Sequence, residues 1–256
     1  MKDCNLGARS ALWLSGPNLA AAEIAAMIGY QSVVLDIEHG TFDLAVLERF
    51  IPTLKGLGLK VFAKVLGPSR EPIQQALDFG ADVVVIPHIE GAAHAAKTCA
   101  FAKFPPLGER SFAGGRTANY GGFDDEWVNR QDRETLCFAM IEDAQALAEV
   151  HEILAIPSVD GVFIGPSDLS LRRSRGSYKR TEGDWQDLKT IADAAREANK
   201  PWILPAWSVE EKAFAIKNGA YKMVLTMEHG ALALGLRTAW EQTVQLLEEA
   251  AKVDDK

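Results

Sequence analysis

The chain has 256 residues, of which 48% are hydrophobic and 24% charged, with 27 Lys plus Arg against 35 Asp plus Glu and a net charge of −8. That suits one soluble domain with a single large core. It argues against nucleic acid as a partner, since such binding needs a basic face. The cysteines, Cys4, Cys99 and Cys137, are scattered without metal-site spacing, residues 1–10 hold no apolar signal core, and no apolar run is long enough to span a bilayer, so the expectation is reduced thiols, no membrane partner and a cytoplasmic protein.

Residues 11–15 form a short apolar run, read as strand one, and Pro17-Asn18 starts an Ala-rich helix over 19–28 that stops at Gly29. Strand two, 32–38, ends in Asp36, Glu38 and His39, and Asp43 caps the next helix, 44–57, with Pro52 inside it. Strand three, 60–66, carries Lys64 in its apolar body. A short helix over 72–79 is closed by Gly80, strand four covers 83–89 with His88 near its end, and 91–102 is helical. The segment 104–122 is too rich in Gly and Pro for either element, and a loop that long in a compact domain is usually functional. Residues 124–134 read as an extra helix. Strand five (135–141), its helix (144–156) and strand six (159–164) follow, then a basic loop over 171–180. Thr181 caps a helix to about 199, strand seven is 201–207, Ser208 caps a helix to 218, strand eight is 222–227, and a long helix closes the chain over 231–252.

Eight strands alternating with about eight helices predict an α/β fold, a (β/α)₈ TIM barrel formed by residues 1–256 as one domain. An open doubly wound sheet is the alternative, but no Gly-x-Gly-x-x-Gly follows an early strand. Barrel sites lie at the carboxyl ends of the strands. The polar residues gather there: Glu38 and His39, His88, Glu142, Asp168 and Glu228.

Glu142 and Asp168 end adjacent strands, so two carboxylates can grip a hard divalent cation and leave its other positions open. The competing reading makes them ordinary helix-capping acids. His39, with Asp36 and Glu38 just before it, is the candidate acid/base, or else a histidine satisfied by a loop carbonyl. Lys64 alternates with Val61, Ala63 and Val65 and so faces the lumen. There it holds a substrate carboxylate, forms a Schiff base, or pairs with Asp36 or Glu38. Arg110 and Arg116 of the Gly-rich loop are candidates for an anionic substrate or a neighbouring subunit, whereas the cations of 172–180 read as a solvated loop. The echo of Glu38-His39-Gly40 in Glu228-His229-Gly230 reads as coincidence.

The stretches Leu35-Asp-Ile-Glu-His39, Phe104-Pro-Pro-Leu-Gly-Glu-Arg110 and Asp160-Gly-Val-Phe-Ile-Gly-Pro-Ser-Asp-Leu-Ser170, with Trp13 and the run 77–81, resemble motifs of the HpcH/HpaI aldolases. These are metal-dependent pyruvate aldolases typified by 4-hydroxy-2-oxoheptanedioate aldolase. The resemblance spans about residues 11–240. It implies a barrel whose last helix is exchanged with a partner subunit, in a homo-oligomer that is commonly a hexamer built as a trimer of dimers. It implies a divalent cation (Mg²⁺, Mn²⁺ or Co²⁺) on Glu142 and Asp168, with His39 as acid/base and Asp36 and Glu38 ordering it. Substrate binding then falls to Lys64, Trp13, Gly165, Pro166, Ser167, Arg110 and Arg116. The implied reaction is reversible aldol cleavage of a 4-hydroxy-2-oxo acid to pyruvate, or a related 2-oxo acid, and an aldehyde. Three positions depart from the family pattern: Lys64 stands for an Arg, Met140 for a Gln, and His88 stands where an apolar residue is expected. A metal-free Schiff-base lyase using Lys64 and a non-catalytic oxo-acid binding protein are the competing readings.

Overall fold

The computed structural model describes residues 6–254. After a helical turn, α1 (Leu6–Arg9), the strands are β1 (Ser10–Leu14), β2 (Ser32–Asp36), β3 (Lys60–Lys64), β4 (Val83–Ile86), β5 (Leu136–Ile141), β6 (Gly161–Ile164), β7 (Trp202–Pro205) and β8 (Lys222–Met227). They pair in parallel, each with the next and β8 with β1, and close into a barrel as the strand count predicts. The helices between them are α2 (Leu19–Ile28), α3 (Leu44–Gly56), α4 (Arg70–Asp78), α5 (Ala92–Cys99), α6 (Asp125–Glu134), α7 (Ala144–Ala148), α8 (Val150–Ala155), α9 (Pro166–Arg172), α10 (Glu182–Glu197) and α11 (Val209–Lys217). The last is α12 (Glu228–Asp254).

The caps form as the sequence predicts. Asn18 accepts from the Ala21 amide at 3.1 Å and Asp43 from Val46 at 2.7 Å, while Thr181 and Ser208 each build a capping box. Pro52 leaves α3 continuous. The helix expected over 144–156 breaks at Glu149, whose carboxylate turns away to accept from the Ala92 amide at 2.7 Å and from Gln145 at 2.9 Å. Among the described residues, no helix is long and apolar enough to cross a membrane.

Because successive strand residues point to opposite faces, the strands supply two apolar layers. Val33, Leu35, Val61, Ala63 and Val84 pack outward against the helices. Trp13, Val34, Phe62, Val85, Phe138, Met140 and Phe163 fill the lumen. The same alternation carries the lumen face upward from Val34 to Asp36, from Phe62 to Lys64, and from Met140 to Glu142. Polar side chains therefore appear where the strands run out.

The Gly-rich segment 104–122 packs against α6 and α4, with Glu109 bonded to Arg70, Arg110 to Asp78 and Ser111 to Gln74. Phe104, Ala118 and Trp127 of α6 make a small core, with Phe112 stacked 4.0 Å from Phe123. The basic segment 172–180 is mostly exposed, as a solvated loop should be, but three of its arginines are held in ion pairs. Arg175 pairs with Asp184 at 3.0 Å and with Asp187, Arg173 lies 3.3 Å from Asp187, and Arg180 reaches Glu211 at 3.0 Å. Acids of α10 and α11 thus pair with Arg173, Arg175 and Arg180.

Candidate active site

Register places Asp36 of β2 directly beside Lys64 of β3. The Lys64 ammonium donates to Asp36 Oδ1 at 3.1 Å and to Glu38 Oε2 at 2.5 Å, and the three side chains are nearly buried. Its charge is thus balanced by the pairing on the neighbouring strand that the sequence left as one possibility. Glu38 is the centre of the cluster. Its Oε1 accepts from the His88 ring and lies 3.6 Å from His39 Nε2. Burial opposes the charge of Glu38, but hydrogen bonds and attraction from Lys64 and His88 outweigh it and hold the carboxyl below its ordinary range.

The turn 37–40 that presents Glu38 and His39 requires glycine at its end. A β-carbon on Gly40 would lie 2.2 Å from the Asp36 carbonyl and 2.6 Å from that of Ser15. The His39 amide donates to Asp36 Oδ1 at 3.3 Å, so Asp36 anchors the turn while the imidazole stays exposed.

Glu142 is buried one residue beyond β5, and Oε1 accepts from the His88 amide at 2.7 Å. Burial raises its carboxyl above the ordinary value and the charge of Asp168 adds to this, against the lowering by His88 and Lys64. Asp168 sits in the first turn of α9, behind Pro166 at the helix start. Both acids line a polar cavity of about 470 Å³ with His88, Glu90, Asp143, Gln145 and Arg172. Asp168 also lines a second cavity of about 160 Å³, which brings together Trp13, Asp36, His39, Lys64, Gly165, Pro166, Ser167 and Trp207. The two spaces therefore share Asp168. Trp13 stands edge-on to Trp207 with ring centres 6.3 Å apart, forming an aromatic wall.

The donor set suits a hard divalent cation. A buried carboxylate raised by desolvation and by a second acid gains when a cation shares both. Gly165 keeps Glu142 in place, because a β-carbon there would lie 2.6 Å from Glu142 Oε2. Among the described residues, no three His, Cys, Asp or Glu side chains are already drawn together as a cation cage, so the candidate is an open site of two protein carboxylates.

The structure does not bring Arg110 or Arg116 to either cavity of this chain. Arg110 is buried at the barrel flank, with Nη2 2.9 Å from Asp78 Oδ1 and its guanidinium 4.7 Å from the Phe104 ring centre. Arg116 is exposed in a single turn, Arg116–Ala118. Other lining residues went unassigned in the sequence. Arg172 lies 3.9 Å from Asp143, Trp207 faces Trp13, and His88 joins Glu38 to Glu142. Among these, the sequence pointed to His88 by its position after an apolar strand and to Arg172 only as one of the cations of 172–180. Glu228 is no mirror of Glu38: its Oε1 accepts from the Ser15 amide at 2.8 Å and fastens the start of α12 to the end of β1.

The family model of HpcH/HpaI aldolase/citrate lyase matches residues 9–225. The chain is 30% identical over 158 residues to 2-dehydro-3,6-dideoxy-6-sulfogluconate aldolase of Pseudomonas putida, the match covering 62% of each. It is 33% identical over 162 residues to 2-keto-3-deoxy-L-rhamnonate aldolase of Salmonella gallinarum, covering 62% of this chain and 60% of that one. Each match therefore spans less than two thirds of the relative. In fold it is similar to the HpcH/HpaI aldolase of Desulfitobacterium hafniense DCB-2, with a TM-score of 0.82 at 24% identity over 97% of this chain and 96% of that one. With a family model matched from β1 to β8, the chain belongs to the HpcH/HpaI aldolase/citrate lyase family.

Proposed function

We propose that the protein is an aldolase that reversibly cleaves a 4-hydroxy-2-oxo acid to pyruvate, or a related 2-oxo acid, and an aldehyde. The observation that carries the reading is the meeting of Glu142 and Asp168 at a polar cavity adjoining the space that holds His39 and Lys64. Glu142 and Asp168 would hold Mg²⁺, Mn²⁺ or Co²⁺. When bound, such a cation supplies Lewis-acid polarisation of the 2-oxo group.

The chain's own residues do the rest. His39, exposed into the smaller cavity and steadied by Asp36 and Glu38, accepts the proton of the substrate's 4-hydroxyl. The bond between C3 and C4 then breaks, the aldehyde leaves, and its electron pair passes into the 2-oxo acid fragment, which takes up a proton at C3. Lys64 offers positive charge to the oxo-acid end, and Trp13 and Trp207 wall that end from solvent. An amine already donating to two carboxylates has the geometry of a charge anchor rather than of a free nucleophile, which weighs against Schiff-base chemistry. The larger cavity, lined by Glu90, Gln145 and Arg172, suits a polar aldehyde half, in keeping with the sugar-acid names of the relatives.

Pyruvate release from a racemic 4-hydroxy-2-oxo acid, coupled to lactate dehydrogenase, tests the reading. Turnover is expected to stop with EDTA, return with Mg²⁺, Mn²⁺ or Co²⁺, and fall at least ~100-fold in Glu142→Gln. EDTA-insensitive turnover would redirect attention to Lys64. Ligand-dependent thermal stabilisation without cleavage would favour a binding protein.

We propose as well that a second copy of the chain covers α12. Every side chain from 229 to 252 is exposed, including Leu232, Leu234, Leu236 and Trp240, and a cavity of about 340 Å³ beside α2 is walled by Leu12, Ile24, Ile28 and Leu232. Apolar surface of that extent is costly in water, and a partner's helix has the matching chemistry.

A further inference from the structure

The lining of the smaller cavity divides by strand. Asp36 and Lys64 end β2 and β3, and Asp168 follows β6. The opposite wall is apolar and comes from β1, β5 and β7: Trp13, Met140, Pro205 and Trp207. Alternation explains why β7 supplies two of these. Ile203 faces the lumen, so Pro205 and then Trp207 project on the same face above it.

This wall has the barrel core behind it. Trp13 is 8% exposed, with ring centres 6.1 Å from Phe163 on one side and 6.3 Å from Trp207 on the other. Met140 is buried, and its methyl group is already packed against Gly165, where a β-carbon would lie 2.7 Å from Met140 Cε. The backbone around Trp207 is pinned as well. The Ala206 amide donates to the Val224 carbonyl at 2.9 Å, Lys212 Nζ donates to the Trp207 carbonyl at 3.0 Å, and Ser208 caps α11. Trp207 itself is 38% exposed, so it closes the cavity from the solvent side and stands outside the core.

Chemistry then orients the substrate. The carboxylate and oxo oxygens of a 2-oxo acid belong with Lys64 and with a cation on the acids, which leaves C3 to meet the apolar wall. A space of about 160 Å³, the liquid volume of roughly five waters, takes a three-carbon oxo acid and little beyond it. A methyl group added to C3 has to displace Trp207, because Trp13 and Met140 are held by the core, and such overpacking is unfavourable.

We propose that Trp207 is a specificity-determining residue for the 2-oxo acid fragment, limiting C3 to the methyl carbon of pyruvate and disfavouring 2-oxobutyrate and longer acids. The proposal rests on the aldolase reading and names its 2-oxo acid.

The test follows exchange of C3 protons for solvent deuterium, the reverse of the protonation that ends cleavage, by proton NMR in D2O with Mg²⁺ present. Wild type is expected to exchange pyruvate about 10–200-fold faster than 2-oxobutyrate in kcat/KM, the range for one methylene in an apolar pocket. Trp207→Ala is expected to raise the ratio of 2-oxobutyrate to pyruvate exchange at least ~10-fold, and Trp207→Phe to keep most of the discrimination. Comparing ratios between proteins cancels both the intrinsic acidities of the two acids and any general loss of activity. Equal rates on the two acids in wild type, or an unchanged ratio in Trp207→Ala, would overturn the proposal while leaving the aldolase reading standing. If neither acid exchanges, the aldolase reading falls, and calorimetric titration reads the size limit directly. Pyruvate bound more tightly than 2-oxobutyrate, with the difference lost in Trp207→Ala, would uphold the limit, and binding of neither acid would overturn both.

Discussion

Replacing Lys64 by Met removes the one cation between two nearly buried carboxylates while conserving most of the side-chain volume. At an effective dielectric of ~20, the contacts of 3.1 Å to Asp36 and 2.5 Å to Glu38 represent gross attractions of about 5 and about 7 kcal/mol. Most of this is offset by the cost of taking the ammonium out of water. Leaving partners buried and unpaired costs about 3–5 kcal/mol. For a chain of this size that is a fall in Tm of roughly 6–20 °C. The dependence on pH identifies the cause. Glu38 is held below its ordinary value, so its contribution is present above the unfolded carboxylate pKa of ~4.3 and is lost as pH falls through the lower folded value. The gap between wild type and Lys64→Met is therefore expected to be widest above about pH 5 and to close in more acid solution. Lys64→Arg, which keeps the charge, is expected to recover most of the stability. Melts followed by circular dichroism from acid to neutral pH read all three proteins. A neutral-pH Tm unchanged in Lys64→Met, or a gap independent of pH, would refute the reasoning.

Gly165→Ala places a β-carbon 2.6 Å from Glu142 Oε2 and 2.7 Å from Met140 Cε. It is expected to cost about 1–3 kcal/mol by overpacking and to weaken cation binding by calorimetry; wild-type affinity would mean that Gly165 is no cradle for Glu142. Burial, helped by repulsion from Lys60, pulls Lys222 down to about 8. The unfolded lysine then holds more protons than the folded one above that pH, so stability is expected to rise by roughly 3 kcal/mol toward pH 10.4. Lys222→Met is expected to flatten that limb in urea titrations, and an unchanged slope would deny the cause. Trp240→Asp puts a charge on the apolar α12, with Trp240 74% exposed in the single chain. Light scattering is expected to show a smaller assembly than wild type, and a monomeric wild type would sink the second-copy reading.

Much of the frame was legible along the chain because its causes act over a few residues. Alternation in β3 already points Lys64 inward, and Asn18, Asp43, Thr181 and Ser208 announce their helices by chemistry confined to one turn. The apolar strands ending on Glu142 and on Gly165-Pro-Ser-Asp168 locate the acids at the barrel mouth, which the cavity lining agrees with. Arg110 was misleading for the opposite reason. Its partner Asp78 lies 32 positions earlier, and no local pattern shows that a loop arginine will be buried against it.

The sequence by itself determined the strand and helix succession, the inward face of each strand and the acids at the strand ends, since period and capping are properties of neighbouring residues. Only the closed barrel decided who meets whom. Register set Lys64 beside Asp36, acids of α10 and α11 paired with Arg173, Arg175 and Arg180, and Glu149 broke a helix to reach the Ala92 amide. The turn at His88 carried its ring to Glu38, 50 residues away, and its amide to Glu142, 54 residues away. Such pairings depend on distances between elements, and these exist only once the eight strands have closed.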